Sequence, residues 1–196
     1  MSGAHFSIER LTRLQDKSVT AALDWLRANA SLDSDAAERC ATLDRRALFA
    51  CMVEQSLPIP LDLLGIRSLL MVDDEPAVLR SMARVLRQVA PELTLHLADG
   101  AEGGISQLAA QRPGAMLIDA YMPVTSGVEV CARIVAQGAA AHTVIVGMTA
   151  DPSPELASAF ARAGAVAFLE KPVDLPVLFE ALSVHQNAPN SAGDSQ

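Results

Sequence analysis

The sequence is poor in cysteine, in positive charge and in long apolar runs, and each shortage excludes a class of protein. Its three cysteines, Cys40, Cys51 and Cys131, are odd in number and lack metal-ligand spacing, so they indicate neither a disulfide framework nor a zinc site. No apolar run has the length of a membrane span, and the first residues do not have the pattern of a signal peptide. We therefore expect a cytoplasmic protein with no membrane contact.

Positive charge is the second shortage. Lys and Arg total 15 against 23 Asp and Glu, which gives a formal net charge of −8. Affinity for nucleic acid comes largely from neutralising phosphates, so this balance argues against nonspecific binding by the whole chain. Hydrophobic residues, in contrast, make up 51% of the chain, which is enough to build a folded core.

The chain divides into two parts with different patterns. Residues 1–57 are predicted to form a small, mainly helical module, residues 58–65 a proline-containing linker, and residues 187–196 a disordered tail. Between them, residues 66–186 alternate short apolar runs with helical periodicity, which predicts five βα units. Such units form an α/β fold with a five-stranded parallel sheet covered on both faces.

The element boundaries follow from apolar runs, helical periodicity and the positions of Pro and Gly. Strands are predicted at 68–72, 93–98, 115–119, 143–148 and 165–169. Helices are predicted at 76–89, 101–110, 127–137, 154–163 and 175–184, and a further helix in the first module at 45–55.

Polar side chains stand at the predicted carboxyl ends of four strands. Asp73 and Asp74 follow the first strand, Asp119 ends the third, and Thr149 and Lys171 follow the fourth and fifth. Parallel strands bring these ends to one edge of the sheet, where three carboxylates require a cation. An all-oxygen site suits Mg²⁺. A carboxylate beside Mg²⁺, a hydroxyl and an ammonium is equipped to attack phosphorus and form an acyl phosphate.

With these residues in place, positions 66–184 resemble the receiver domain of two-component response regulators. Four segments carry the resemblance: LMVDDEP at 70–76, IDAYMP at 118–123 with Gly127, VGMTA at 146–150 and FLEKP at 168–172. The spacing of 30 residues from Asp119 to Thr149 and of 22 from Thr149 to Lys171 is also similar to that of the family. The resemblance implies a flavodoxin-like, doubly wound fold.

The resemblance also implies roles for individual residues. Asp119 would be the phosphoacceptor, Asp73 and Asp74 the acidic Mg²⁺ pair, and Tyr121 a metal ligand through its backbone carbonyl. Thr149, together with Ala150, would bind the phosphoryl group. We also interpret the ring of Tyr121 as a shield that protects an acyl phosphate at Asp119 from water.

The remaining implied roles belong to the fifth strand. Lys171 would offset the charge of the phosphoryl group, and the peptide bond between Lys171 and Pro172 would be cis. Phe168 takes the position of the aromatic residue that turns inward when Thr149 moves. Phosphorylation would then shift the population between two forms of the face made by the fourth helix, fifth strand and fifth helix of the receiver.

The implied function is signalling and not an enzyme activity on small molecules. A histidine kinase or phosphotransfer protein would supply the phosphoryl group, and a downstream protein partner, or a second copy in a homodimer, would receive the signal. A dinucleotide site is excluded because acidic residues, not a glycine loop, follow the first strand. A haloacid-dehalogenase-like phosphatase is excluded because Tyr121 stands where that family has a second Asp.

Residues 1–57 are weakly similar to the excisionase/MerR-like winged helix-turn-helix. Before residue 66 the chain has seven Lys and Arg against nine Asp and Glu, a poor surface for DNA phosphates. We therefore favour a degenerate helix-turn-helix module used for protein contact or dimerisation. The alternative is a phosphorylation-controlled transcriptional regulator in which Lys17, Ser18 and Thr20 contact DNA.

Overall fold

The computed structural model describes residues 45–54 and 56–184 of the chain. The DNA-contact candidates Lys17, Ser18 and Thr20, the rest of the first 44 residues and the tail 187–196 lie outside the described residues. Every strand and helix predicted from residue 66 onward is present, with ends that differ by at most two residues from the predicted ones.

The described chain contains five strands and seven helices, which we number in chain order. The strands are β1 Ser68–Val72, β2 Thr94–Ala98, β3 Ala115–Asp119, β4 Val144–Thr149 and β5 Ala167–Glu170. The helices are α1 Arg45–Glu54, α2 Leu61–Leu64, α3 Pro76–Val89, α4 Ala101–Gln111, α5 Gly127–Ala136, α6 Pro154–Arg162 and α7 Leu175–Val184.

The strands form one parallel sheet with the order β2-β1-β3-β4-β5. In register, Val72 of β1 lies beside Ile118 of β3, and Asp119 lies beside Met148 of β4. The carboxyl ends of β1, β3 and β4 therefore meet at one edge. The order changes direction between β1 and β3, and such a point is where open α/β sheets place their crevice. The predicted fold class is confirmed.

Side chains of each strand alternate between two hydrophobic clusters, one on each face of the sheet. Leu69 and Met71 of β1 point into the cluster formed with α1, α2, α3 and α7. Leu70 and Val72 point into the cluster formed with α4, α5 and α6. Both faces are thus covered by helices, which explains why the strands read as continuous apolar runs.

Local signals explain where the helices begin. Helix α3 has Pro76 in its first turn, and its buried residues Leu79, Ala83 and Leu86 recur at helical spacing along one face. Helix α5 begins with a capping box. The side chain of Ser126 accepts from the Glu129 N–H, and the Glu129 carboxylate accepts from the Ser126 N–H at 2.8 Å.

Helix α1 packs into the core of the βα domain. Its residues Leu48, Phe49 and Met52 are fully buried and belong to the same cluster as residues of α3 and α7. The sequence pattern predicts this helix, but periodicity along one element does not reveal which neighbour it packs against. Among the helices of the described ranges, none is both long and apolar enough to cross a bilayer.

The segment predicted to be a proline-containing linker contains a helical turn, Leu61–Leu64. Ile59, Leu63 and Leu64 are buried, and the Ile59 N–H donates to the Val89 carbonyl at 2.7 Å. Gly65 ends α2 in the left-handed region at φ 72°. Residues 59–64 are therefore anchored to the domain through Ile59, Leu63 and Leu64.

Candidate functional site

Asp73 continues β1 into the edge of the sheet and is fully buried. Its N–H donates to the Ala98 carbonyl at 3.2 Å, which extends the ladder between β1 and β2 by one step. Its Oδ1 accepts from the Glu75 N–H at 2.9 Å, a local turn that orients the carboxylate. Asp74, the next residue, is exposed.

Asp119 is the last residue of β3 and is only 4% exposed. Its Oδ2 accepts from the Tyr121 N–H at 2.9 Å. The Ala120 N–H donates to the Met148 carbonyl, so the chain beyond Asp119 stays attached to β4. Strand and loop together hold this carboxylate in one orientation.

The ammonium of Lys171 joins the two buried carboxylates. Its Nζ lies 2.7 Å from Asp73 Oδ2 and 2.6 Å from Asp119 Oδ1, and its side chain is 17% exposed. The Lys171 N–H donates to the Thr149 carbonyl at 2.7 Å, which ties the end of β5 to the end of β4. The peptide bond from Lys171 to Pro172 is cis, as the resemblance implies.

Burial and charge act in opposite directions on these groups. Burial raises the pKa of Asp119 and the charge of Asp73 raises it further, which outweighs the lowering by Lys171 and the Tyr121 N–H. Burial lowers the pKa of Lys171, but its hydrogen bonds to Asp119 and Asp73 and their charges raise it overall. Lys171 is therefore an ammonium at neutral pH.

Thr149 ends β4 at the same edge and is fully buried. It is the last residue of the strand, one position later than predicted, and it pairs with Glu170 of β5. Its Oγ1 accepts from the Asp151 N–H at 3.2 Å, which leaves its own O–H available as a donor. Ala150 follows and is exposed.

The loop after Asp119 ends at Gly127, a position where there is no room for a Cβ. A Cβ on Gly127 would overlap the Asp119 carbonyl oxygen and lie 3.2 Å from the Phe160 ring. The Gly127 N–H donates to the Ala120 carbonyl at 3.0 Å. This close approach draws the start of α5 against the phosphoacceptor candidate.

Phe168 is half-buried and packs against a second aromatic residue. Its ring centroid lies 5.1 Å from that of Phe160, which is fully buried in α6. The Phe160 ring lies over Gly147, where a Cβ would come within 2.7 Å of it. The sequence analysis missed Phe160, although a glycine within the apolar strand β4 is the usual signal of such a close approach.

The candidate metal ligands form an all-oxygen set, the kind that Mg²⁺ prefers. In the part of the chain that the structure describes, no compact cluster of three or more acidic, His or Cys side chains is arranged to hold a metal. Asp73 and Asp119 converge instead on Lys171, and Asp74 faces solvent. The donor set fits Mg²⁺ because each carboxylate oxygen has a further lone pair free for it.

The fold and the residues at this edge match a known family of domains. A family model described as the response regulator receiver domain matches residues 69–183, more than half of the chain. The chain therefore belongs to the response regulator receiver family. The match does not include residues 1–68, so the similarity to a helix-turn-helix module gains no support from it.

Comparison with individual proteins gives relatives and structures that are consistent with the receiver family. The acid tolerance regulatory protein ActR of Sinorhizobium medicae is 30% identical over 138 residues, which cover 67% of this chain and 69% of that protein. The sensory/regulatory protein RpfC of Xanthomonas campestris is 29% identical over 117 residues, 59% of this chain and only 16% of that protein. The crystal structure of a response regulator receiver protein from Pseudomonas putida is 33% identical, with a TM-score of 0.54, and the match covers 59% of this chain and 93% of that one.

Proposed function

We propose that this chain is a two-component response regulator that accepts a phosphoryl group on Asp119 in a Mg²⁺-dependent reaction. The observation that carries the proposal is the shared ammonium: Lys171 Nζ lies within 2.7 Å of both Asp73 and Asp119. A buried carboxylate held by a strand end, a backbone N–H and an ammonium is positioned as a nucleophile, with a cation ready for the incoming charge.

In the reaction, an oxygen of Asp119 attacks phosphorus and an O–P bond forms. The bond between phosphorus and the donor breaks, and the leaving group takes its electron pair; a donor imidazole takes a proton from water. Lys171 offsets the charge on the phosphoryl oxygens, and the hydroxyl of Thr149 donates to one of them.

A magnesium ion would be held by carboxylate oxygens of Asp73, Asp74 and Asp119 and by the backbone carbonyl of Tyr121. When bound, Mg²⁺ supplies positive charge that stabilises the transferring group. The protein's own part is to fix the carboxylates. Asp73 is held through its turn to the Glu75 N–H, and Asp119 through its turn to the Tyr121 N–H.

The partners and output belong to the same proposal. A histidine kinase or phosphotransfer protein supplies the phosphoryl group in the cytoplasm, and the modified chain signals to a downstream protein. Relatives named as regulatory proteins support this reading. Direct DNA binding is the less favoured output because the N-terminal segment carries more acidic than basic residues.

The test is phosphorylation of the full chain by acetyl phosphate with Mg²⁺, followed by intact mass spectrometry. We expect the wild type to gain the mass of one phosphoryl group, and Asp119→Asn to gain none. The matched control is Asp99→Asn, an exposed aspartate that follows β2 at the same edge. Labelling that survives in Asp119→Asn, or disappears in Asp99→Asn, would refute the assignment.

A further inference from the structure

One aromatic ring of helix α6 fills a space at which several other elements meet. Of the nine residues of α6, Phe160 is the only one that is fully buried. Its ring packs on Phe168 of β5, with 5.1 Å between the centroids and 30° between the planes. The ring of Phe160 is therefore the main contact of α6 with the interior of the domain.

Two glycines lie where this ring meets the sheet and helix α5. A Cβ at Gly147 of β4 would come within 2.7 Å of Phe160 Cδ1, closer than real Cβ atoms approach another heavy atom. A Cβ at Gly127, the first residue of α5, would lie 3.2 Å from Phe160 Cζ. Because protein interiors are close-packed, one ring here fills the space that both glycines leave open.

These two glycines lie on either side of the phosphoacceptor candidate. In the register of β3 and β4, Gly147 is the partner of Ile118, the residue before Asp119. Gly127 lies against the Asp119 carbonyl, and its N–H donates to the Ala120 carbonyl at 3.0 Å. The Phe160 ring therefore supports the strand beside Asp119 and also the start of the helix that packs against it.

We propose that Phe160 is a positioning residue for Asp119, which acts by holding β4 and the start of α5 against the Asp119 backbone. The carboxylate is thereby fixed between the Tyr121 N–H, at 2.9 Å, and Lys171 Nζ, at 2.6 Å. This inference rests on the proposed function of Asp119. A misplacement of about 1 Å at a reacting group can lower a rate by about 100-fold, so support of this kind affects the reaction.

The Tyr121 N–H reports the position of the carboxylate without any phosphorylation. It donates to Asp119 Oδ2, and a longer hydrogen bond moves its proton resonance upfield. We expect Phe160→Ala to cause this upfield shift in the NMR spectrum of the unmodified full chain. The Glu75 N–H, which donates to Asp73, should keep its resonance in the same spectrum.

The rate of phosphorylation measures the effect on the reaction. With acetyl phosphate and Mg²⁺, we expect Phe160→Ala to gain the phosphoryl mass about tenfold more slowly than the wild type. Rates are expressed per folded molecule, with the folded fraction taken from circular dichroism. The matched control is Phe49→Ala, which truncates an equally buried phenylalanine on the other face of the sheet. It should lose stability and keep both the rate and the Tyr121 resonance.

Two further variants separate positioning from loss of stability. Phe160→Leu retains most of the apolar bulk, so it stays folded even if Phe160→Ala does not, and it should slow the reaction by a smaller factor. Adding Gly147→Met to Phe160→Ala refills the space from β4, because methionine adapts to irregular gaps. We expect this double variant to recover most of the rate, whereas Gly147→Met alone should slow the reaction by displacing the ring.

The outcomes distinguish this inference from the function on which it rests. A wild-type rate or an unmoved Tyr121 resonance in both Phe160 variants would overturn the positioning role and leave Asp119 as the phosphoacceptor. Equal slowing in Phe49→Ala would overturn it as well, since a general loss of packing would then explain the effect. Labelling that survives in Asp119→Asn would refute the proposed function itself.

Discussion

At the scale of single residues, the most strained position described is Val124. It has φ 71° and its side chain is entirely exposed. The left-handed region is a genuine outlier for a β-branched residue, because its Cβ substituents crowd the backbone. The strain lies in the loop that follows Asp119, where sequence patterns give no warning of it, since valine is a strand former.

We predict that Val124→Gly stabilises the protein by about 1 kcal/mol, because glycine adopts this φ without strain. Urea unfolding monitored by circular dichroism measures the change in the free energy of unfolding. The matched control is Val85→Gly, an exposed valine within helix α3, which should destabilise by about 0.5–1 kcal/mol. A loss of stability in Val124→Gly would show that the valine side chain makes a contact worth more than the strain.

Tyr121 gives a second prediction at this scale. Its N–H donates to Asp119 Oδ2, and the residue as a whole is 59% exposed. If the ring shields the acyl phosphate, Tyr121→Asn should shorten the lifetime of the phosphorylated form several-fold. Phosphorylated protein, freed of donor, is followed by mass spectrometry. Tyr121→Phe keeps the ring and should decay as the wild type does; an unchanged lifetime in Tyr121→Asn would contradict the shielding role.

At the scale of elements, glycines separate two kinds of position. Gly127 begins α5 where a Cβ would overlap the Asp119 carbonyl, whereas Gly103 lies within α4 with its nearest neighbour, the Ala98 Cβ, at 3.5 Å. Gly127 is therefore required by packing. Gly103 is not, and it lowers the stability of its helix because glycine loses more backbone entropy than alanine on folding.

The same substitution should therefore have opposite effects at these two positions. Gly103→Ala should stabilise by about 0.5–1 kcal/mol, since alanine loses less backbone entropy in a helix. Gly127→Ala should destabilise by about 1–3 kcal/mol and slow phosphorylation by acetyl phosphate, because Asp119 must move. Chemical unfolding and mass spectrometry measure the two effects. Equal stability of the two variants would contradict this account.

Much of the fold could be predicted at the element scale because parallel strands and their turns leave strong local signals. Apolar runs that end at Asp73 and Asp119 gave the strands, and their order in the chain gave a parallel sheet. Local patterns do not show which distant residues pack together. Ser126 and Glu129 are three residues apart, so their capping box is visible in the sequence. The packing of Phe160 on Gly147 and of Phe49 on Phe179 joins different elements and is not visible there.

The closeness of Asp73, Asp119 and Lys171 could be predicted from the sequence, since they stand at strand ends that a parallel sheet brings together. The contact of Lys171 with both Asp73 and Asp119 agrees with that expectation. The predicted ligand role of Asp74, an exposed residue, stays a prediction.

For the whole molecule, Mg²⁺ should stabilise the folded state by mass action if it binds at this edge. At ten times its dissociation constant, the expected rise in melting temperature is roughly 3–6 °C. Differential scanning calorimetry measures it. Asp74→Asn should abolish the rise, because it removes one predicted ligand without unpairing Lys171, whereas Glu75→Gln, the next acidic residue, should retain it. A rise that persists in Asp74→Asn would place the ion elsewhere.

The packing of α1 on α7 also has a consequence for synthesis of the chain. Phe49 and its partner Phe179 are 130 positions apart, and α7 is the last element described. At roughly 5–20 residues per second, the ribosome makes Phe179 about 7–26 s after Phe49. Throughout that interval Leu48, Phe49 and Met52 lack the α7 side chains that cover them in the folded chain, so the helix exposes apolar surface until synthesis of the domain is complete.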